Sequence, residues 1–486
     1  MIALVLEKMK IHPRHQAFLF SLLIIALSVF MKIQVIDDLS IYSDYDEYYT
    51  ASTFKGFFDP AYIVANSNHQ GVLEELQFAA KHCVRDSGNS LVYNFLGIVL
   101  TRTLGLSETG MRLISLGFYC MSLLLVLQFF KKFSLSPRLQ IAGIFILCFF
   151  SSFSQFSIII RTYSFTFFLV LVFMYYLFIH APQNGFKTLL VSLIFTVTLF
   201  FSHFLTVFTL ILIWSYLVIS TPNRLWSSAI HGITLGGLIC ITICVLHWDW
   251  ITHFLDMSRE IGDETATTAL KSRSAPFTWS ALYSKSLVFF SKYFFGGNAF
   301  NLVGLGFISS ILLFLVWIWF SIQHRKNHFI LLYNIGGLIT LLLVLKSQHF
   351  LPFGPKYNIF YWGFWILGLV QVSKEKKSNI NLAVFAVLLL NGLGNAYGNW
   401  KGPFPKDIQI LINGQTMAIA PQQANEIKER SMGFASSNSD TLILKNEEEL
   451  CLFQMVHEKK NCTFVLNNGA PSQLEIPGFP KYYGPY

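Results

Sequence analysis

The chain has 486 residues, of which 53% are hydrophobic, 16% aromatic and only 13% charged, with a mean hydropathy of +0.52. That balance excludes the three or so soluble domains the length would otherwise allow, and the apolar residues gather in runs long enough to cross a hydrocarbon core of about 30 Å. The net charge of +9 does not mark a nucleic-acid partner, because the Lys and Arg residues sit in short clusters between apolar runs, where membrane topology wants them.

The first apolar stretch, residues 17 to 36, follows Lys8, Lys10 and Arg14 and has no small-residue cleavage site after it, so it reads as an anchor and not a leader. Further apolar runs lie near 110 to 130, 139 to 158, 162 to 180, 187 to 202, 204 to 220, 229 to 247, 300 to 322, 329 to 345, 357 to 372 and 379 to 396. The expectation is an all-α polytopic membrane protein with about eleven transmembrane helices in residues 1–396. Residues 89 to 106 are either a short span or a helix in the interface. If they do not cross, the clusters Lys131/Lys132/Arg138, Lys187, Arg224, Arg325/Lys326 and Lys374/Lys376/Lys377 all share the side of the basic N-terminus. Charge therefore predicts a cytoplasmic N-terminus and one external loop over 37–109 carrying juxtamembrane helices. Residues 37 to 88 of that loop hold nine acids against three bases.

Two more external segments follow, 248–299 with His247-Trp248-Asp249-Trp250 at its start, and the tail 397–486. The tail is polar, is bounded by Gly/Pro-rich sequence, and reads as a small external α/β domain or cap with TLILK and TFVLN as strands. Of the seven cysteines, Cys120, Cys148, Cys240 and Cys244 read as small core residues of spans. Cys451 and Cys462 share the tail, where an oxidising compartment would permit a bridge, and Cys83 is left over.

Ionisable residues avoid the middles of the runs. On this topology Arg112, Arg161, His203, His247, Lys346 and Lys356 lie at or near external ends, with Lys292 just before the next span. Each alone is explained by snorkelling, but so many cations opposite the positive-inside side suggest an anionic partner. Facing them is SDYDEYY at 43 to 49, where Asp44, Asp46 and Glu47 are interleaved with Tyr42, Tyr45, Tyr48 and Tyr49 directly after the first span. Tyrosines of this kind anchor at membrane interfaces, so the carboxylates are expected at the membrane surface and not in a merely solvated run. A cationic wall below carboxylates suits a lipid phosphate that reacts with a neutral nucleophile.

In these residues and their order the chain resembles the GT-C superfamily of polytopic glycosyltransferases, in the branch of the protein O-mannosyltransferases and the bacterial aminoarabinose and lipopolysaccharide sugar transferases. Asp46, Glu47 and Tyr49 match the acidic pair and tyrosine of that family's first loop. Asn89-Ser90-Leu91-Val92-Tyr93 is similar to its Pro-Leu-Tyr-Tyr turn, with the proline absent. Leu104-Gly105-Leu106-Ser107-Glu108, then Arg112-Leu113, resembles the stretch before its second span, and Arg161-Thr162-Tyr163 and Lys356-Tyr357 resemble its later Arg-x-Tyr and Arg-Tyr elements. Two departures stand out: Ile158-Ile159-Ile160 replaces an acid that many relatives carry there, and Lys356 supplies a point charge where an arginine would offer a two-pronged fork.

The resemblance implies an extracytoplasmic glycosyltransferase in a membrane such as the bacterial inner membrane, drawing sugar from a polyprenyl-phosphate donor for a lipid, glycan or protein acceptor. Asp46 would be the base of an inverting transfer, with Glu47 holding the acceptor or tuning its neighbour. Asp44, Tyr49, Asn89, Tyr93, Arg161, Tyr163, Lys356 and Tyr357 would bind substrate, with Arg161 and Lys356 on the leaving phosphate. His203 is either a third phosphate ligand or a turn histidine, and Arg112 a structural tie. No cofactor is implied. Asp44, Asp46 and His69 are the residues that would hold a divalent ion, without a recognised spacing. The alternative is a transporter, flippase or non-catalytic scaffold for a lipid-linked sugar, against which stands the lack of midplane charges and of paired halves.

Overall fold

The computed structural model describes residues 13–36, 50–51, 53–54, 90–149, 152–178, 184–220, 224–248, 315, 318–346 and 358–372, together with four short strands in the tail. Before residue 400 every described element is helical. The helices are α1 (Pro13–Ile36), α2 (Leu91–Leu104), α3 (Glu108–Lys132), α4 (Pro137–Phe149), α5 (Ser152–Gln155), α6 (Tyr163–Phe178), α7 (Gly185–Ser202), α8 (Thr206–Ile219), α9 (Arg224–Leu246), α10 (His328–Lys346) and α11 (Trp362–Val372), the last preceded by a 3₁₀ turn, Asn358–Tyr361. In the tail, β1 (Ile408–Ile412) pairs antiparallel with β2 (Gln415–Ile419), and β3 (Thr441–Leu444) pairs parallel with β4 (Thr463–Leu466). The described residues of Met1–Gln34, Leu113–Trp248 and Ala275–Lys401 form one compact unit, and those of Val35–Arg112, Asp249–Ser274 and Gly402–Tyr486 another.

Four helices are long and apolar enough to cross a bilayer: His15–Ile36, Thr109–Lys132, Gly185–Ser202 and Trp226–Leu246. The chain is an integral membrane protein. Each apolar run from 110 to 247 that the sequence marked is helical where it is described, and so are those at 329 to 345 and 357 to 372. Helix α2 has 14 residues, roughly 21 Å at 1.5 Å per residue, which is short of a hydrocarbon core.

In lipid, burial is decided by small and polar residues and not by apolarity, because lipid tails and helix neighbours are equally apolar. Helix α1 shows the consequence. Its exposed face carries Leu19, Leu23, Leu27 and Phe30, whereas Ala17, Ser21, Ile25, Ser28, Lys32 and Val35 recur at spacings of three and four on the buried face. Ser28 hydrogen-bonds the Tyr119 hydroxyl at 2.9 Å, and Gln140 donates to the Ser21 hydroxyl at 3.4 Å, so α1 is stitched to α3 and α4.

Helices α7 and α9 approach through small residues. A Cβ placed on Gly232 would collide with the Leu189 carbonyl oxygen and stand 2.8 Å from Ser192 Cβ, and one on Gly236 would stand 2.8 Å from Thr196 Cβ. Ser228 lies against Gly185 on the same seam. Glycines four apart on one helix facing serine and threonine on the next are what lets two backbones come this close. Helix α10 is capped by Asn327, whose Oδ1 accepts from the Phe329 and Ile330 amides while its Nδ2 donates to the Gly368 carbonyl of α11.

The cysteines behave as small apolar side chains: Cys148 and Cys240 are buried and Cys120 and Cys244 half-buried, all with free thiols. Cys83, Cys451 and Cys462 lie outside the described residues.

Candidate functional site

Of the residues chosen from sequence, Tyr93, Arg161, Tyr163 and His203 are described. Asp44, Asp46, Glu47, Tyr49, Asn89, Lys356 and Tyr357 lie outside the described residues, as does His69. Among the described residues no group of three or more His, Cys, Asp or Glu is placed to hold a metal ion.

Three segments distant in sequence meet at one junction. The first is the irregular connection after α4, which ends in Arg161-Thr162 before α6 begins at Tyr163. The Arg161 amide donates back to the Ile159 carbonyl at 2.7 Å, a tight three-residue turn, and Arg161 is itself half-buried. Thr162 sits just before α6 and its carbonyl accepts from the Thr166 amide, starting the helix. Its hydroxyl shares a 2.8 Å hydrogen bond with that of Thr166 and donates to the Ser202 carbonyl at 2.8 Å.

The second segment is the break between α7 and α8. His203 terminates α7 in an extended conformation, and its amide still donates to Leu199. Its ring turns back so that Nδ1 accepts from the Leu205 amide at 3.2 Å. That bond requires an unprotonated Nδ1, which puts the proton of the neutral ring on Nε2. Thr206 then closes the break by donating to the carbonyls of Leu199 and His203, both at 2.8 Å. Both sequence-stated roles for His203 therefore have a geometric basis: Nδ1 serves the turn, and the Nε2–H is left as the donor.

The third segment is the 3₁₀ turn Asn358–Tyr361, which immediately follows Lys356-Tyr357 in the chain. Phe360 from this turn packs its ring 4.8 Å from that of His203 and 6.5 Å from that of Tyr163, and the Tyr163 and His203 rings are 5.8 Å apart. Thr209 of α8 donates to the Phe360 carbonyl at 3.4 Å, and Asn358 donates to the Tyr333 hydroxyl at 3.4 Å. Tyr163 and His203, picked separately from sequence, are thus brought together, and Thr162 and Phe360 are what joins them. Thr162 was visible only as the middle of Arg-x-Tyr, and Phe360 gave no signal inside an apolar run.

A further residue escaped the sequence analysis. Lys32 lies in α1 four residues before its end and is 5% exposed. Its ammonium donates to the Ser154 carbonyl at 2.6 Å and lies 5.3 Å from the centre of the Tyr119 ring. Ser154 belongs to α5, within the connection that ends at Arg161-Thr162. A lysine in a membrane helix that finds a carbonyl and an aromatic face, and not lipid, fastens the first helix to that connection.

Tyr93 belongs to the other compact unit. It is fully buried on α2 with its ring 5.4 Å from that of Phe54. No protein-family model, curated protein or solved structure matches the chain. The fold and the described residues define the protein as an integral membrane protein whose helix ends carry a joined Tyr, His and Phe cluster beside an arginine.

Proposed function

We propose that the protein is a GT-C-like integral membrane glycosyltransferase of about eleven spans, with a cytoplasmic N-terminus and its external segments 37–109, 248–299 and 397–486 on the extracytoplasmic side. It transfers a sugar from a polyprenyl-phosphate donor to an acceptor hydroxyl with inversion. Asp46 takes the hydroxyl proton as the hydroxyl attacks the anomeric carbon. The bond from that carbon to the phosphate oxygen breaks, and the lipid phosphate leaves against Arg161 and Lys356. Glu47 holds the acceptor. An aspartate of ordinary pKa near 3.9 is ionised at neutral pH and acts mainly as the hydroxyl acidifies in the transition state, a contribution of about 10² to 10⁴ in rate.

The observation that carries the proposal is the meeting of the Arg161-Thr162-Tyr163 segment, His203 and the turn that follows Lys356-Tyr357. Sequence alone assigned these three places to one leaving group, and they stand 40 and more residues apart in the chain. Transfer by purified protein in lipid from a panel of short-chain polyprenyl-phosphate sugars tests it. Turnover present in wild type and absent in Asp46→Asn, with donor binding retained, is the expected result. Indifference of both measurements to the substitution refutes it. One observation favours the transporter alternative, the buried Lys32 in a membrane helix. It sits near the helix end and not at the midplane, where transporters place such groups.

A further inference from the structure

Helix α2 carries a row of buried polar side chains that have nothing to bond. Ser90 at its N-cap, Asn94 and Thr101 follow at intervals of four and seven, so with Gly97 between them they lie on one face. Ser90 and Asn94 are each 1% exposed and Thr101 8%. The Ser90 hydroxyl, the Thr101 hydroxyl and both the oxygen and the nitrogen of the Asn94 amide lack a hydrogen-bond partner.

This differs from the protein's habit elsewhere. Buried Ser21, Thr196 and Thr340 each return their hydroxyl to the carbonyl four residues back, which satisfies it within its own helix. Thr103, on the exposed side of α2 itself, does the same to Val99 at 2.8 Å. Thr101 has the same option with Gly97 and does not take it. An asparagine has no such option in a helix, and a buried amide with neither atom paired is a rare and costly state. Groups left in that state mark a place that a ligand completes.

The chemistry of the row selects the ligand. An asparagine amide donates through nitrogen and accepts through oxygen, and each hydroxyl does both. A phosphate, which only accepts, would leave the Asn94 oxygen facing negative charge, and an ammonium, which only donates, would leave the amide nitrogen unmet. Neighbouring hydroxyls on a sugar ring donate and accept at once and meet both. The row is also flanked by an apolar wall: Phe54 lies against Gly97, so closely that any Cβ there would enter its ring, and the Tyr93 ring stands 5.4 Å from that of Phe54. A few convergent polar groups beside aromatic surface is the usual make-up of a small neutral ligand site.

We propose that the Ser90, Asn94 and Thr101 face of α2 binds the hydroxyls of a neutral sugar ring. That the sugar belongs to a lipid-linked donor rests on the glycosyltransferase proposal above, whereas the hydrogen-bonding match does not.

The test uses the full chain in phospholipid nanodiscs and three probes: a short-chain polyprenyl phosphate, the same lipid carrying a hexose, and a panel of soluble methyl hexosides. Asn94→Leu keeps the side-chain volume and removes both polar atoms, and Thr101→Val does the same for one hydroxyl and serves if the first variant does not fold. Loss of affinity of about tenfold for a hydroxyl-bearing probe, with bare polyprenyl phosphate within twofold of wild type, is the expected result. If the loss falls on the lipid-linked hexose the row holds the donor sugar. If it falls on the methyl hexosides alone, with no lipid bound by wild type, the row stands and the lipid-donor proposal fails. Lipid-linked hexose that binds wild type and both variants alike leaves the donor proposal standing and overturns the sugar row. So does a wild type that binds no hydroxyl-bearing probe, or an Asn94→Leu protein that gains thermal stability with every affinity unchanged, the mark of a face filled by water alone.

Discussion

Gly236 and Gly237 are adjacent on α9, yet only one of them touches another helix, which makes alanine substitution of the two a controlled measurement of the α7–α9 seam. A Cβ on Gly236 would lie 2.8 Å from Thr196 Cβ, 3.0 Å from its Cγ2 and 3.1 Å from the Leu193 carbonyl oxygen, whereas one on Gly237 meets nothing within 4 Å. Thr196 cannot swing its Cβ away, because that atom is fixed by the backbone, and its hydroxyl is tied to the Ser192 carbonyl at 2.8 Å. Relief to an ordinary contact of 3.4 Å therefore needs the helices to part by about 0.6 Å, the difference of the two distances. Overpacking of this kind costs about 1 to 3 kcal/mol, and a gap of that size forfeits a quarter or more of each dispersion contact along the seam. Both substitutions gain the same helix propensity, about 1 kcal/mol, so it cancels in the comparison. Thermal unfolding of the two variants in identical nanodiscs should show Gly237→Ala at or above wild type and Gly236→Ala below it, the two differing by 1 kcal/mol or more. Equal midpoints would mean that the backbones of α7 and α9 are not in close contact.

Lys32→Met replaces an ammonium that has left water for one carbonyl and one ring face, and the Ser154 carbonyl keeps its 2.7 Å bond from the Ser157 hydroxyl. The variant is expected to be at least as stable as wild type, by about 1 kcal/mol, while Lys32→Ala, which also leaves a cavity, is destabilised by about 2 kcal/mol or more in the same unfolding assay. Asn327→Ala removes the cap on α10 and the tie to Gly368 together, for about 2 kcal/mol, and Asn327→Asp should recover about half by restoring the cap alone. Thr162→Val keeps the shape of the side chain but breaks the link to the Ser202 carbonyl. It should cost about 1 kcal/mol of stability and weaken binding of polyprenyl phosphate several-fold, read by titration of the lipid into nanodiscs.

The sequence made the helices legible because bilayer thickness imposes a length of apolar chain, and that length survives in α1, α3, α7 and α9. It could not make their faces legible. In α6, phenylalanines at 165, 167 and 173 are buried, and on α1 Phe30 with three leucines is exposed to lipid, so apolarity carries no direction. The direction is carried instead by Ser21, Ser28, Gly232 and Gly236, small residues that a hydropathy reading treats as weak points in a span. The candidate site divides in the same way. Arg161, Tyr163 and His203 stood out because they interrupt apolar runs, and an interruption at a helix end is where a backbone turn needs side-chain hydrogen bonds. Phe360 completes the cluster without interrupting anything. Lys32 and Asn94 were passed over for the opposite reason, since each is one polar group inside an otherwise convincing apolar helix. What singles them out is the company they keep in space: a carbonyl and a ring for the lysine, and for the asparagine no partner at all. A buried polar atom in a membrane protein must be bonded to protein, to water or to ligand, so the pairing of each such atom, more than the composition of its helix, separates a residue that holds the fold from one that awaits a substrate.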